Sequence, residues 1–227
     1  MYFVPSTTIA QYESVFTLTK NIDPNIDQHE IKANWSLGGG TAMMMTFAHR
    51  DSKDIDIFVR NPQYLGWLTP RLQDQIQTIT DCTSYNESSN ILKLVMDAGE
   101  IDFIVAAPLT KTPYENWEFE GRKIVRETPV EIVAKKVFYR AEELAVRDVF
   151  DLACLLDRQL DEVLKEDKLF RAKQDIVLTR LLAMQKTYKH MAKEKIDIRP
   201  GFEHMRDNAI DKVLEFYQNA TGVLPDE

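Results

Sequence analysis

The sequence predicts an α+β fold, a mixed β-sheet core with flanking helices followed by a mostly helical C-terminal part. Three observations predict it. Between residues 35 and 59 the chain runs strand, glycine turn, apolar helix, strand. Alternating segments over 90–106 read as a hairpin, and from Thr128 onward apolar residues recur at helical spacing. The core is assigned to residues 1–127 and the helical part to 128–227.

Taken in order, residues 6–20 open at Ser6 and carry a helical pattern, and the Asn-Ile-Asp-Pro-Asn-Ile-Asp stretch at 21–27 is a loop. Strand character at 35–37 is interrupted by Gly38-Gly39-Gly40 and returns at 54–59, after an apolar helix over 42–47. Residues 63–79 form a helix divided by Pro70, because an interior proline removes a backbone donor and clashes with the preceding turn. Strands at 90–96 and 101–106 join through Asp97-Ala98-Gly99-Glu100, and a further strand or hairpin follows over 117–125. Thr128-Pro129-Val130-Glu131 has the pattern of a capping box with proline at the first helical position. Residues 129–157 read as two helices broken near 140–142; helices at 161–191 and 203–219 follow, separated by Ile198-Arg199-Pro200-Gly201.

With 227 residues, 44% hydrophobic and 28% charged, the chain suits one large domain or two modest ones. Met1-Tyr2-Phe3-Val4-Pro5 lacks a basic start leading into an apolar run, and no stretch reaches the roughly 20 uncharged residues that span a bilayer. The expectation is a soluble cytoplasmic protein with no membrane partner. Cys82 and Cys154 stand far apart without ligand spacing, so both are read as reduced and structural. A net charge of -8 and a pI near 5.1 weigh against a general nucleic-acid coat, since phosphate binding relies on clustered Lys and Arg.

The chemistry concentrates in one stretch. Side chains alternate along a strand, so Asp54, Asp56 and Phe58 share one face while Ile55, Ile57 and Val59 share the other. Asp102, flanked by Ile101 and Phe103, repeats the arrangement in the hairpin. Asp is depleted in strands, and two on one face repel unless a cation lies between them. Mg²⁺ prefers a few carboxylates completed by water and phosphate, so Asp54, Asp56 and Asp102 are the metal candidates, with Mn²⁺ as an alternative ion. An exposed edge of solvated acids is the plain structural alternative. Ahead of them, Gly39 and Gly40 let backbone amides approach a polyphosphate at a helix start, and Thr41 adds a hydroxyl. Lys135, Lys136 and Arg140 are the available cations for phosphoryl transfer.

Other patterns are excluded or plain. There is no Gly-Lys-Ser/Thr or GxGxxG sequence, and the Asp51-Asp54-Asp56 run lacks the glycine and glutamate of a calcium loop. His49, Arg50 and Ser52 shape the loop before the acidic strand, His190 and His204 are surface residues, and the run Met43-Met44-Met45 is core packing. The stretch 183–206, with Lys186, Lys189, Lys193, Lys195, Arg199 and Arg206, is locally cationic and reads as a solvated helix face.

Leu37-Gly-Gly-Gly-Thr-Ala42 followed by His49-Arg-Asp-Ser-Lys-Asp-Ile-Asp-Ile-Phe58 resembles the AbiEii/AbiGii toxin family of nucleotidyltransferases, within the DNA polymerase β-like superfamily. Glu131-Ile-Val-Ala-Lys-Lys-Val-Phe-Tyr-Arg140 and Val146-Arg-Asp-Val-Phe-Asp-Leu152 are similar to its later motifs, so the likeness covers about residues 35–157. It implies that Gly39, Gly40 and Thr41 hold a triphosphate and that Asp54 and Asp56 bind Mg²⁺, with Asp102 as third carboxylate. Superfamily members commonly carry Gly-Ser where this chain has Gly-Gly-Thr, a departure the named family shares.

Lys136, or its neighbour Lys135, then contacts nucleotide or supports catalysis. Asp148 joins the catalytic set, and Arg140, Arg147 and Asp151 the nucleotide-binding set. Arg147 and Asp151 are also i, i+4 partners, so a salt bridge between them is the structural alternative. The resemblance further implies transfer of NMP from an NTP to an acceptor hydroxyl, with a tRNA-like RNA as acceptor, and a toxin paired with an antitoxin encoded nearby. A small-molecule or protein hydroxyl as acceptor, or an inactive nucleotide-binding protein of the same fold, are the competing readings.

Overall fold

Alternation of apolar and polar side chains builds the sheet. In the computed structural model, which describes residues 13–15, 17–19, 35–97, 99–119 and 121–219, seven strands form one mixed sheet in the order β3-β4-β5-β2-β1-β7-β6. They are β1 (Trp35–Gly38), β2 (Ile55–Val59), β3 (Ser84–Glu87), β4 (Ile91–Met96), β5 (Gly99–Val105), β6 (Tyr114–Phe119) and β7 (Arg122–Glu127). β2 lies antiparallel to β1 and parallel to β5, and β1 lies parallel to β7. Of the helix expected over 6–20, residues 13–15 and 17–19 are described and are helical; its remainder and the 21–27 loop lie outside the described residues.

The chain divides into two units by contact. One holds Met1–Ala48, Ser52–Pro108 and Thr112–Thr128, the other His49–Asp51, Leu109–Lys111 and Pro129–Glu227. In the first, Ile55, Ile57 and Val59 are fully buried on one face of β2, opposite the half-buried Asp56 and Phe58. Helix α1 (Gly39–Phe47) buries nearly its whole circumference, Met43, Met44 and Met45 included, as an apolar helix must when enclosed. The segment expected as one divided helix resolves into a 3-10 turn at Pro62–Tyr64, α2 (Leu65–Leu68) and α3 (Gln75–Thr80), with Pro70 in the break. β3 was not expected: its Ser-Tyr-Asn-Glu sequence is mostly exposed on the sheet edge, so no apolar alternation marks it.

The second unit is helical. It comprises α4 (Pro129–Tyr139), a 3-10 turn at Ala141–Glu143, α5 (Val146–Lys165), α6 (Asp167–Arg171), α7 (Gln174–Lys195) and α8 (Glu203–Gln218). Phe150, Ala153, Leu181, Tyr188, Val213 and Tyr217 are fully buried where α5, α7 and α8 pack. The helix expected over 161–191 is instead the end of α5, then α6, then most of α7. Glu166 and Lys173 leave helical geometry there without any Gly or Pro to signal the break. No described helix is long and apolar enough to cross a membrane.

Glu131, on the first turn of α4, is fully buried and accepts hydrogen bonds from the Leu109 and Thr110 amides, at 2.9 and 2.8 Å, and from the Thr110 hydroxyl at 2.6 Å. The residue read from sequence as half of a capping box instead clamps the 109–111 segment, while the Thr128 amide donates to the Pro113 carbonyl. Deleting a buried acceptor strands its donors, which costs more than the hydrogen bonds themselves contribute. Glu131→Ala is expected to lower unfolding free energy by about 2–4 kcal/mol. Urea titration followed by circular dichroism measures it; a loss under about 0.5 kcal/mol, the level of a neutral surface change, would contradict the clamp.

Candidate active site

Strand registers set five residues at one level across the sheet. Asn86 pairs with Lys93, Lys93 with Asp102, Asp102 with Asp56, and Asp56 with Gly38. Asp56 and Asp102 are thus neighbours on parallel strands, which brings their carboxylates to the same face. Asp54 lies immediately before β2 and is half-buried, one pleat away on the Asp56 face.

The glycine turn closes over these acids. Gly39 has φ +66, and a Cβ built there would overlap the Asp56 carboxylate, so both backbone conformation and space require glycine. The amides of Gly39, Gly40 and Thr41 belong to the first turn of α1, where no intrahelical acceptor precedes them. A helix start of this kind is suited to an anion, and this one lies beside the Asp56 carboxylate. Thr41 is fully buried, and its hydroxyl donates to the Asp54 carbonyl. Its side chain therefore ties the glycine turn to the metal-candidate strand.

Lys93 Nζ lies 3.0 Å from Asp102 Oδ2 and also binds Glu100. Asp102 Oδ1 is buried with no hydrogen-bond partner. Burial raises the Asp102 carboxyl to about 6, against the opposing pull of Lys93 and with help from the Asp56 charge. An orphaned carboxylate oxygen level with a second aspartate is a donor set that fits a divalent cation. Among the described residues no three His, Cys, Asp or Glu enclose an ion on their own. Mg²⁺ typically takes one or two protein carboxylates and completes its shell with water and phosphate.

A second polar cluster belongs to the helical unit and centres on Asp151, which is fully buried on α5. Arg50 grips it through Nε to Oδ1 at 2.7 Å and Nη2 to Oδ2 at 2.8 Å, His49 Nε2 lies 2.7 Å from Oδ1, and Lys136 binds Oδ2. Lys136 also reaches Asp148 Oδ1 at 3.0 Å, and Asp148 Oδ2 accepts the Ala145 amide at 3.1 Å at the start of α5. Burial, the largest influence, pushes the Asp151 carboxyl up, but Arg50 and Lys136 outweigh it and hold it well below the usual range. Burial also lowers the His49 imidazole, which keeps it neutral near pH 7 and assigns the Nε2 proton to the Asp151 contact. The Arg50–Ile198 bridge, with the Asp51 amide on the Asp197 carbonyl and the Arg199 amide on the His49 carbonyl, fixes residues 49–51.

Of the residues expected from sequence, Asp54, Asp56, Asp102, Gly39, Gly40 and Thr41 gather in the first unit. Lys136, Asp148 and Asp151 gather in the second, with the half-exposed Arg140 3.8 Å from Asp148. Lys135 lies apart from that cluster, buried 3.5 Å from Glu131. Arg147 is exposed, and Asp151, instead of the Arg147 bridge weighed as the structural alternative, is held by Arg50, His49 and Lys136, because position 151 turns inward while 147 faces water. Sequence reasoning missed His49 and Arg50 as partners of Asp151, and Lys93 altogether. For Lys93 a signal existed: between the buried Leu92 and Leu94 on a strand, it must face the polar side with Asp102.

Asp151→Asn would leave the Arg50 and Lys136 charges buried without their shared carboxylate. The expected loss is about 3–5 kcal/mol, measured by chemical denaturation at pH 7. Because the folded-state pKa of Asp151 is depressed, its contribution is complete above the unfolded carboxyl value near 4 and fades as pH falls below it. The gap between wild type and Asp151→Asn should therefore narrow on acidification; a gap that widened would refute this assignment.

The chain is 24% identical over 186 residues to an uncharacterized protein of Aquifex aeolicus (strain VF5), covering 81% of this chain and 88% of that one. Among solved structures it is similar to an antigenic nucleotidyltransferase-like protein from Paracoccidioides brasiliensis, at 14% identity and TM-score 0.40, over 89% of this chain and 94% of that chain. It is also similar to CdnC of E. coli MS115-1 in complex with HORMA-deltaN, at 14% identity and TM-score 0.31, over 96% of this chain and 84% of that chain. Residues 25–216 match the family described as nucleotidyl transferase AbiEii toxin, type IV TA system, and the chain belongs to that family of nucleotidyltransferases.

Proposed function

We propose that the protein transfers NMP from an NTP to an RNA hydroxyl, with a tRNA-like acceptor, in a Mg²⁺-dependent reaction. We further propose that it acts as the toxin of a type IV pair whose antitoxin is encoded nearby. The observation that carries the chemistry is the level placement of Asp102, Asp56 and Gly38, with Gly39 folded onto the Asp56 carboxylate. The toxin role is supported by the family's description, and the RNA acceptor is what the resemblance of the motifs implies.

Asp54, Asp56 and Asp102 would hold Mg²⁺ or Mn²⁺, which when bound neutralises triphosphate charge and acidifies an acceptor hydroxyl. The amides of Gly39, Gly40 and Thr41 orient the triphosphate at the start of α1. Thr41 holds the Asp54 backbone, and so sets the angle from which that carboxylate works. Asp102 would help activate the acceptor hydroxyl, either as a metal ligand, with the proton leaving to water, or as the base that takes the proton on its buried, unpartnered Oδ1. The acceptor oxygen bonds to the α-phosphorus as the bond to the bridging oxygen breaks and pyrophosphate leaves. In the second unit Lys136, Asp148 and Asp151 fix one another's charge.

The direct test incubates the protein with Mg²⁺, each labelled NTP and total RNA. Wild type should label RNA, Asp54→Asn with Asp56→Asn should abolish labelling, and Gly39→Ala should cut the rate at least about 100-fold by displacing the Asp56 carboxylate. Label found only on protein or small molecules would remove the RNA acceptor, and labelling unchanged in the double variant would end the catalytic assignment.

Proton and cation compete for Asp102. Since its pKa is raised, the carboxylate is lost as pH falls through about 6 rather than through the usual range near 4. The Mg²⁺ needed for half-maximal labelling should then rise about tenfold per pH unit below that point. A requirement that stayed flat from pH 7 to pH 5 would contradict it.

A further inference from the structure

Lys93 belongs to no motif used so far, yet it stands in the row that carries the acids. It lies directly opposite Asp102 on the antiparallel neighbour β4, and Asp102 is in turn level with Asp56. Its ammonium is 3.0 Å from Asp102 Oδ2 and also binds Glu100, while Asp102 Oδ1 stays buried without a partner. One oxygen of the third carboxylate is thus held by a cation of the protein, and the other is buried without a hydrogen-bond partner.

We propose that Lys93 is a positioning residue that stands in for the divalent cation at Asp102, stabilising the adjoining acids before metal arrives and competing with it afterwards. This rests on the reading of Asp54, Asp56 and Asp102 as the metal-binding set. Two carboxylates at neighbouring positions of parallel strands repel, and Glu100 adds a third negative charge near the β4–β5 turn. A fixed ammonium offsets that repulsion and aims Asp102 Oδ2 away from Asp56. The Lys93 side chain is one-third exposed, so it has room to swing off Asp102 once a cation neutralises the site. The cost of moving it is charged against metal binding.

The test measures Mn²⁺ binding by electron paramagnetic resonance on the full chain, without nucleotide. Lys93→Met, which keeps the length of the stem and removes the charge, should bind Mn²⁺ about three- to tenfold more tightly than wild type. Its metal-free form should melt at lower temperature, and saturating Mn²⁺ should restore more of that loss than it adds to wild type. Lys93→Arg should keep wild-type affinity, which separates charge from packing. Unchanged or weaker Mn²⁺ binding in Lys93→Met would overturn the proposal, as would a raised KM for NTP at unchanged metal affinity, which would make Lys93 a substrate contact. Failure of wild type to bind Mn²⁺ at all would overturn the metal reading itself, and Asp54→Asn with Asp56→Asn is the control that tells these apart.

Discussion

Everything at the candidate site depends on the parallel register between β2 and β5, which sets Asp56 beside Asp102. That register is not chosen by the acids, whose mutual repulsion opposes it. It is fixed by the opposite face, where Ile55, Ile57, Val59, Ile101 and Phe103 are all fully buried. A slip of one residue would turn those five side chains to the acidic face and bury the aspartates, an exchange worth several kcal/mol per pair of positions. The hydrophobic core therefore holds two carboxylates side by side against their mutual repulsion, which Lys93 offsets from the far side of Asp102.

The Asp151 network solves a different problem. Five polar groups, His49, Arg50, Lys136, Asp148 and Asp151, are removed from water within the helical unit. Charges so buried are tolerated only when each is paired, and Asp151 accepts four hydrogen bonds from three residues through its two oxygens. Its partners come from far apart in sequence, residues 49–50 and 136 against 151, so they can meet only when the helices are packed and the 49–51 segment lies along 197–199. A hydrophobic substitute of equal volume would contribute comparable stability without that selectivity. The network specifies one arrangement of α4, α5 and the 49–51 segment.

Local patterns were legible wherever one face of an element is apolar. The β1, α1, β2 succession, the β4–β5 hairpin, the division at Pro70 and the start of α4 all follow from periodicity or from Gly and Pro. The edge strand β3 was invisible because both of its faces are largely wet, and the break between α5 and α7 because acidic and basic residues carry it. At the site, the alternation of Asp54 to Val59 revealed which side chains share a face. It contained nothing to say that Asp151 would be claimed by Arg50 rather than by Arg147, since i, i+4 spacing permits a bridge only when both positions face the same medium. Nor can a linear boundary express that residues 49–51 and 109–111 belong with the helical unit.

Thr41 shows how the glycine turn and the metal strand are made one object. Phosphate contact was the expectation for its hydroxyl, but the side chain is fully buried and donates to the Asp54 carbonyl. A serine could supply the same hydrogen bond. What threonine adds is a methyl group in a position with no exposure, where its absence would leave a void costing about 1 kcal/mol. The backbone of α1 is thereby fastened to the residue preceding β2, while Gly39 of the same turn rests on Asp56. On the proposed reading, the amides placed for phosphate and the carboxylates placed for metal then keep a fixed separation, and a triphosphate spanning both would meet a site that needs little rearrangement to receive it.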